Sequence, residues 1–211
     1  MKIGVDEAGR GPVIGPLVVC AFAATSISEL IELGVKDSKD LSKKRREELY
    51  EVLSQMPHQV VICPPERIDN STNLNDLEVE LFAESLKLMP EGEVILDACD
   101  VDAARFARNV SKASSRKCLA EHKADSNYPE VGAASIIAKV TRDRFIADLS
   151  DELGIELGSG YPSDPTTKIA VKELVKGKLP HECLRWSWKT VENAWGGKVP
   201  PRKGNNQQTL F

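Results

Sequence analysis

Long hydrophobic runs and C-x-x-C cysteine pairs are absent from this chain of 211 residues, and a leader segment is not expected. Its longest apolar stretch, residues 13–24, is interrupted by Gly15 and Pro16 and stays below the ~18 residues that a membrane-spanning helix needs. The first residues lack the charged-then-apolar layout of a secretory signal. Five cysteines, odd in number and without a C-x-x-C pair, argue against a disulfide framework or a zinc site. These absences predict a cytoplasmic protein that does not contact a membrane.

Length and composition predict one soluble globular unit, or one unit with an appendage. The formal net charge is −4 and the hydrophobic content is 41%. The net charge of the whole chain conceals an asymmetry. Residues 165–211 carry nine Lys and Arg against three Glu, whereas residues 1–164 carry a net charge of −10. An acidic centre for metal ions beside a basic arm for phosphates would have this distribution. A solvated, Lys-rich helix is an equally good interpretation of the charge alone.

Hydrophobic periodicity predicts an α/β protein with a mixed sheet, followed by a small basic helical segment. Short alternating or apolar runs predict strands, and apolar residues at helical spacing behind capping residues predict helices. The predicted strands lie near residues 2–5, 17–22, 60–63, 94–96 and 118–120, and the predicted helices at residues 42–55, 73–89, 102–108, 128–153, 166–176 and 189–195.

Carboxylates stand where several of these strands end. Asp6 and Glu7 follow the first apolar run, Asp97 ends another, and Asp125 comes shortly after the last. Such side chains can converge on one rim of a sheet, where they need a cation to offset their repulsion and desolvation. Hard oxygen ligands select Mg²⁺ or Mn²⁺, and a pair of these ions suits phosphoryl transfer. Each acid alone would be interpreted as a turn residue, so the prediction depends on the set.

The glycine-rich segment at residues 9–15 does not match a dinucleotide-binding loop. Ile14 occupies the third glycine position of G-x-G-x-x-G, and no helix pattern follows. The phosphate-loop pattern G-x-x-x-x-G-K-[ST] is also absent, so a nucleotide cofactor is not predicted. The glycines would instead let a ligand approach the backbone next to Arg10, whose guanidinium suits phosphate.

Five sequence blocks carry a family resemblance: GVDEAGRGP at residues 4–12, DSKDL at 37–41, EHKAD at 121–125, ASIIAKV at 134–140 and GSGYPSD at 158–164. In this order they resemble the signature blocks of ribonuclease HII, the type 2 ribonuclease H, and the resemblance extends from residue 3 to about residue 195. The segment at residues 185–190 is most similar to the archaeal branch of that family.

The resemblance implies a ribonuclease H-like mixed five-stranded sheet flanked by helices, with a C-terminal helical segment. It implies a catalytic domain at residues 1–157, a substrate-binding segment packed on it at residues 158–197, and a flexible tail at residues 198–211. The implied activity is endonucleolytic hydrolysis of the RNA strand of RNA–DNA hybrids. Cleavage on the 5′ side of single ribonucleotides in duplex DNA, leaving 3′-hydroxyl and 5′-phosphate ends, is also implied. A monomer is expected.

The resemblance also assigns the acids. Asp6, Glu7, Asp97 and Asp125 match the family's catalytic and metal-binding residues, which would hold two Mg²⁺ or Mn²⁺ ions during hydrolysis. Asp100 is a rival for the third place, and the position of Asp97 at a strand end favours Asp97.

Contacts to the nucleic acid follow from the same resemblance. The backbone of Gly9, Arg10 and Gly11 would bond the 2′-hydroxyl of the ribonucleotide, and the ring of Tyr161 would pack on the neighbouring deoxyribose. Other polar side chains would reach phosphates, with plain solvent exposure as the alternative for each of them. These are Lys36, Ser38, Lys39, Lys139 and Arg142.

The last residues resemble the sliding-clamp-binding peptide Q-x-x-L-x-x-aromatic, through Gln207, Leu210 and Phe211. The trailing aromatic residue of that peptide is missing, so we expect weak affinity, and an unstructured terminus is the alternative. Two other functions stay open at this point. One is a type 3-like nuclease with the ribonuclease H fold, and the other is a non-catalytic hybrid-binding module tethered to the clamp.

Overall fold

A computed structural model describes residues 1–35 and 41–202. The five strands are β1 (Lys2–Ala8), β2 (Leu17–Ala24), β3 (His58–Cys63), β4 (Glu93–Asp97) and β5 (Cys118–Glu121). The helices are α1 (Ile27–Glu32), α2 (Lys43–Leu53), α3 (Pro65–Asp69), α4 (Leu74–Ser85), α5 (Ala103–Ser114), α6 (Ala124–Asn127), α7 (Pro129–Leu153), α8 (Pro165–Leu174) and α9 (Lys189–Trp195). Six predicted site residues lie outside the described residues: Lys36, Ser38, Lys39, Gln207, Leu210 and Phe211.

The strands form one mixed sheet in the order β3-β2-β1-β4-β5. Strand β1 pairs antiparallel with β2 and parallel with β4, and β4 continues in parallel to β5. The antiparallel β2–β3 pair completes the sheet. The prediction of an α/β protein with a ribonuclease H-like mixed five-stranded sheet and flanking helices is therefore confirmed.

Helices cover both faces of the sheet, and β2 presents apolar side chains to both of these faces. Leu17 and Val19 face a cluster that includes Phe82 of α4. The alternate residue Val18 faces a second cluster that includes Ile137 of α7. A strand that is buried on two faces requires apolar residues at successive positions. This requirement explains why the sequence of β2 is continuously apolar instead of alternating.

Helix α7 lies directly on β1 at Gly4. A Cβ at this position would collide with the backbone of Glu130, near the start of the helix. The missing side chain lets the helix approach the strand closely, and this approach brings Ser135 of α7 to the carboxylate of Asp6.

The C-terminal segment shares its own core with the rest of the chain. Helices α8 and α9 contribute to a third hydrophobic cluster, together with Val13, Ile14 and Ile146. A β-bridge joins Ile14 to Leu184. Residues 158–197 thus pack against the segment between β1 and β2 and the second half of α7, and the division into domains stays a prediction.

The predicted helix at residues 73–89 was too long. Helix α4 begins where predicted, directly after its cap Asn73, but ends at Ser85. The backbone then tightens into three-residue turns, with Lys87 N–H donating to Glu84 and Met89 N–H donating to Leu86. These turns precede Pro90, which disfavours helical geometry in the residue before it.

Several helices were too short or missing in the prediction. Helix α5 starts at its cap Asp102 but continues to Ser114, where Ser115 adopts a left-handed conformation and ends it. The prolines after β3 end the strand and also begin a helix. Pro65 lies in the first turn of α3, where the N–H that proline lacks would have no partner within the helix. Helices α1 and α6 are one to two turns long, too short to show periodicity.

None of the described helices combines the length and apolar character that crossing a membrane would require.

Candidate active site

A cleft of about 250 Å³ opens at the carboxyl end of β1. It is lined by the end of that strand, the glycine loop that follows, the end of β4, one side of α7 and one residue of the C-terminal segment. The lining residues are Asp6, Glu7, Ala8, Gly9, Arg10, Gly11, Arg46, Asp97, Ser135, Lys139, Arg142 and Tyr161.

Three of the four predicted acids form a tight cluster at this cleft. One carboxylate oxygen each of Asp6, Asp97 and Asp125 lies within 4.8 Å of the other two. Asp6 lies within β1, Asp97 is the last residue of the neighbouring strand, and Asp125 lies on the short helix α6. The Asp97 carboxylate also accepts a hydrogen bond of 2.8 Å from the N–H of Ala124, which ties α6 to the end of β4.

Glu7 lines the same cleft but is not part of this cluster. As the residue after Asp6 on a strand, it projects from the other face of the sheet, and the charges of Glu78 and Asp97 both act on it. One of its carboxylate oxygens, Oε2, is buried and has no hydrogen-bond partner among the described residues.

Burial and mutual repulsion raise the pKa values of the first two acids. Burial, followed by the charges of Glu7 and Asp97, holds the pKa of Asp6 well above its usual range, against hydrogen bonds from Ser135 and the Glu7 amide. Burial, followed by Glu78 and Asp97, raises the pKa of Glu7 to about 7. Converged carboxylates with raised pKa values and a buried oxygen without a partner fit a divalent cation.

Asp100 is separated from the cluster by an ion pair. Its carboxylate accepts two hydrogen bonds from Arg105, of 2.6 and 3.0 Å, and this pairing lowers the pKa of Asp100. The structure thus places Asp97 in the cluster and Asp100 outside it, and the role of Asp97 as the third metal ligand stays a prediction.

The glycine loop is held by its carbonyl groups. Buried Arg185 donates to the carbonyls of Gly9 and Arg10, and the indole N–H of Trp188 donates to the carbonyl of Gly11 at 3.3 Å. Gly9 has a φ of +96°, a conformation that only glycine adopts without strain. The loop conformation thus depends on a residue without a side chain and on two side chains of the C-terminal segment.

The guanidinium of Arg10 bonds to the protein itself. It donates to the carboxylate of Glu78, to the carbonyl of Cys99 at 3.0 Å and to Oδ1 of Asn75 at 2.8 Å. The guanidinium predicted to suit phosphate is occupied by these acceptors, and the backbone of Arg10 is left as its contact for a substrate.

Tyr161 lies beside the loop although it is 150 residues away in sequence. A Cβ on Gly11 would stand 3.5 Å from the Tyr161 ring. The guanidinium of Arg142 lies 5.8 Å from the centre of the same ring and donates to the carbonyl of Ile14 at 3.1 Å. The solvent-exposed alternative for Arg142 is wrong, because its side chain is buried under the loop.

Lys139 lines the cleft one helical turn before the buried Arg142. Its ammonium forms a 2.6 Å ion pair with Asp143, four residues later on the same helix. The side chain is partly exposed and lines the cleft.

A model of the ribonuclease HII family matches residues 3–191 of the chain. The chain belongs to the ribonuclease HII family. It is 48% identical to ribonuclease HII of Thermococcus sibiricus over 224 residues, which cover 100% of this chain and 97% of that protein. Two solved structures have the same fold with a TM-score of 0.84. One is from the PCNA:RNase HII complex of Archaeoglobus fulgidus, 43% identical, covering 92% of this chain and 96% of that one. The other is ribonuclease H2 from Pyrococcus horikoshii OT3, 42% identical, covering 92% and 97%.

Membership of the ribonuclease HII family makes this protein a ribonuclease H, an endonuclease that acts on RNA in nucleic acid hybrids. The prediction of an archaeal-like ribonuclease HII is confirmed. The match decides against the type 3-like nuclease and the non-catalytic module as alternatives.

Three residues of the site were not predicted from the sequence. Ser135 bonds to Asp6, Arg185 lies under the glycine loop, and Glu78 pairs with Arg10. Ser135 could have been found, since it lies on the predicted long helix next to the buried stripe of that helix. Glu78 gives no local signal, because a glutamate on an amphipathic helix is ordinarily a solvated residue.

The raised pKa of Glu7 predicts how acid and metal ions affect stability. With a pKa of about 7 when folded and ~4.3 when unfolded, the folded state binds more protons in this interval, so this group lowers stability as pH rises through it. Divalent ions take the place of these protons. We expect Mn²⁺ at about 100 times its Kd to raise the Tm of the chelator-treated protein by about 5–10 °C at pH 8, and by much less at pH 5.

The matched variant for this measurement is Asp6→Asn, which removes one charge from the cluster. It should lose most of the Mn²⁺-dependent rise and, without metal, should be at least as stable as the wild type at pH 8. Scanning calorimetry of both proteins at the two pH values measures this. An equal Mn²⁺ effect in both proteins would place the ion elsewhere.

Proposed function

We propose that this protein also cuts duplex DNA on the 5′ side of single embedded ribonucleotides, leaving 3′-hydroxyl and 5′-phosphate ends. The observation that carries this proposal is the meeting of three carboxylates, the glycine loop and Tyr161 in one cleft. The acids would cut a phosphodiester, and the loop with the aromatic ring would inspect the sugar beside it.

In this proposal Asp6, Glu7, Asp97 and Asp125 hold two divalent cations. Two Mg²⁺ or Mn²⁺ ions would supply hydroxide near neutral pH and neutralise charge on the leaving 3′-oxygen. The chain's own residues contribute position, since strands β1 and β4 and helix α6 present the carboxylates from a rigid sheet edge. Ser135 supports this role because its hydrogen bond favours the ionised form of Asp6.

The loop at residues 9–11 would recognise the sugar through its backbone. Its three carbonyl groups already accept hydrogen bonds from Arg185 and Trp188. This arrangement supports a role for the amide groups of the loop as donors to the 2′-hydroxyl, the atom that distinguishes RNA from DNA. The Tyr161 ring, exposed beside Gly11, would pack against the next sugar, where an additional hydroxyl would not fit.

Phosphate contacts would come from Lys139 at the cleft, from Ser38 and Lys39 in the family block at residues 37–41, and from Lys36 directly before that block. The position of Lys139 supports this phosphate contact, because Lys139 lies on the same helix as Ser135 and Arg142. We place the activity in the cytoplasm, in keeping with five cysteines that are all free.

The tail would bind a sliding clamp. The relative from Archaeoglobus fulgidus was solved in complex with PCNA, and Gln207, Leu210 and Phe211 of this chain resemble a clamp-binding peptide. An extended peptide with two terminal apolar residues suits a hydrophobic pocket on a partner.

Replacing Asp6 by Asn tests the cutting role. On a duplex with one embedded ribonucleotide, and on a long hybrid, we expect kcat to fall more than about 100-fold, because the cluster loses a charged ligand. Hybrid binding, measured by fluorescence anisotropy, should stay within about threefold. The matched control is Asp100→Asn, since Asp100 pairs with Arg105 outside the cluster and should keep kcat within about threefold.

Product mapping in the same assay tests the cleavage position. A cut on the 5′ side of the ribonucleotide is expected with Mg²⁺ and with Mn²⁺. If the wild type cuts long hybrids but leaves the single-ribonucleotide duplex intact, the proposed specificity is wrong while the family activity stands. Cutting by Asp6→Asn at the wild-type rate would instead remove the metal assignment.

Replacing Tyr161 by Ala tests recognition of the sugar. Stacking of an aromatic side chain on a base is worth ~1–3 kcal/mol, and taking the lower part of this range for packing on a sugar, we expect kcat/KM on the single-ribonucleotide duplex to fall about 10-fold. Long hybrids, which offer many ribonucleotides in several registers, should lose less than about threefold. Tyr161→Phe keeps the ring and should behave as the wild type. Equal losses on both substrates in Tyr161→Ala would contradict the proposal.

Truncation of the chain after residue 206 tests the clamp contact. We expect the truncated protein to lose binding to the sliding clamp in surface plasmon resonance, because the proposed apolar anchor is gone, and to keep its kcat without the clamp. Phe211→Ala should weaken binding about 10-fold, in line with the ~1.5–3 kcal/mol of a buried aromatic side chain. Unchanged clamp binding by the truncated protein would show that another surface is used.

A further inference from the structure

Glu78 is a buried acid that the proposed chemistry does not use. It lies on α4, with its side chain completely removed from solvent. One carboxylate oxygen accepts a hydrogen bond from Arg10, and the other, Oε1, has no hydrogen-bond partner among the described residues. A carboxylate in such surroundings is costly unless a cation stands beside it. Arg10 is that cation.

The guanidinium of Arg10 connects three parts of the active site. The Arg10 side chain starts in the glycine loop. Its guanidinium donates hydrogen bonds to Glu78 and Asn75 on α4 and to the carbonyl of Cys99, two residues beyond Asp97. The place of the loop relative to Asp97 is therefore determined by a side chain whose charged end is anchored on α4.

The anchor at Glu78 is stiff because neither partner can leave it cheaply. Moving the guanidinium away would leave a completely buried carboxyl without the donor that Arg10 supplies, and losing the partner of a buried polar group costs more than breaking an exposed ion pair. The pair thus holds the loop in one position instead of allowing several.

We propose that Glu78 is a positioning residue for sugar recognition, which fixes the backbone of residues 9–11 relative to Asp97 by anchoring Arg10. This inference rests on the proposed function, because it assigns the loop to the ribose. Arg185 and Trp188 hold the same loop through its carbonyls. Loss of Glu78 therefore shifts the loop without releasing it, and the effect appears in catalysis more than in binding of the duplex.

Three variants and one control test the role of Glu78. Glu78→Met removes the acceptor at similar size, Glu78→Gln keeps an oxygen for Arg10, and Arg10→Met removes the other end. The control is Glu84→Gln, since Glu84 lies on the same helix but pairs with Arg67 at the surface. On the single-ribonucleotide duplex we expect Glu78→Met to lower kcat about 10-fold with KM within twofold. Glu78→Gln should recover to within about threefold of the wild type, and Glu84→Gln should be unchanged.

A double variant separates action through Arg10 from an independent effect. If Glu78 acts only by anchoring Arg10, the Arg10→Met/Glu78→Met protein should be within twofold of Arg10→Met alone. Losses that multiply would overturn the inference, because Glu78 would then act on the site by another route. A kcat for Glu78→Met equal to that of the wild type would overturn it as well.

Backbone amide resonances give a readout that does not depend on cutting. In the metal-free protein, Glu78→Met should shift the amide signals of Gly9, Gly11 and Cys99, whereas Glu84→Gln should leave them in place. If Glu78→Met does not fold, Glu78→Gln should show smaller shifts of the same three signals. Unmoved signals in a folded Glu78 variant would overturn the positioning role even if the wild type cuts at single ribonucleotides. Shifted signals with a wild type that does not cut there would instead refute only the proposed specificity.

Discussion

Parallel pairing of β1 with β4 is the constraint on which the site depends. Val5 lies opposite Leu96 in this pairing, so the residues that follow, Asp6 and Asp97, leave the sheet side by side. Both strands are interior strands of the sheet, and neither acid can move away without breaking strand pairing. Burial, followed by the charges of Glu7 and Asp97, therefore keeps the pKa of Asp6 raised. Any ligand that offsets the unfavourable free energy of these buried carboxylates stabilises the folded protein, and a divalent cation is the simplest such ligand.

The glycine loop depends on a different kind of interaction, a buried cation solvated by carbonyl dipoles. Arg185 is completely buried and donates to the carbonyls of Gly9, Arg10 and Gly15. Burial, followed by the nearby charge of Arg142, lowers the pKa of Arg185 to about 9, so the side chain stays protonated at neutral pH. Carbonyl groups satisfy its hydrogen bonds without cancelling its charge. The positive charge of Arg185 therefore lies beneath the loop that is proposed to recognise the sugar beside the cleaved phosphodiester.

What the sequence could predict is local, and what it could not is long-range. The caps Ser42, Asn73 and Asp102 begin helices where they were expected, because capping requires only the next three residues. The family resemblance pointed to the acids at the cleft, but only the structure shows that Asp125 reaches the other acids from a one-turn helix. The pairing of Arg10 with a glutamate 68 positions away depends on how α4 packs against the sheet, and no periodicity encodes that.

The proposed cutting and recognition are supported by largely separate parts of the fold. The carboxylates stand on the sheet and on α6, whereas the carbonyls of the glycine loop are held by Arg185 and Trp188 of the C-terminal segment, which shares a core with Ile14. The two supports meet within residues 6–11, where one short stretch of chain passes from the acids to the loop. A displacement of the C-terminal segment would therefore move the loop relative to the acids while leaving the acids in place. In such a construction, the proposed selectivity for the sugar can change without loss of the acids, because Arg185 and Trp188 bond to the loop whereas the acids stand on β1, β4 and α6.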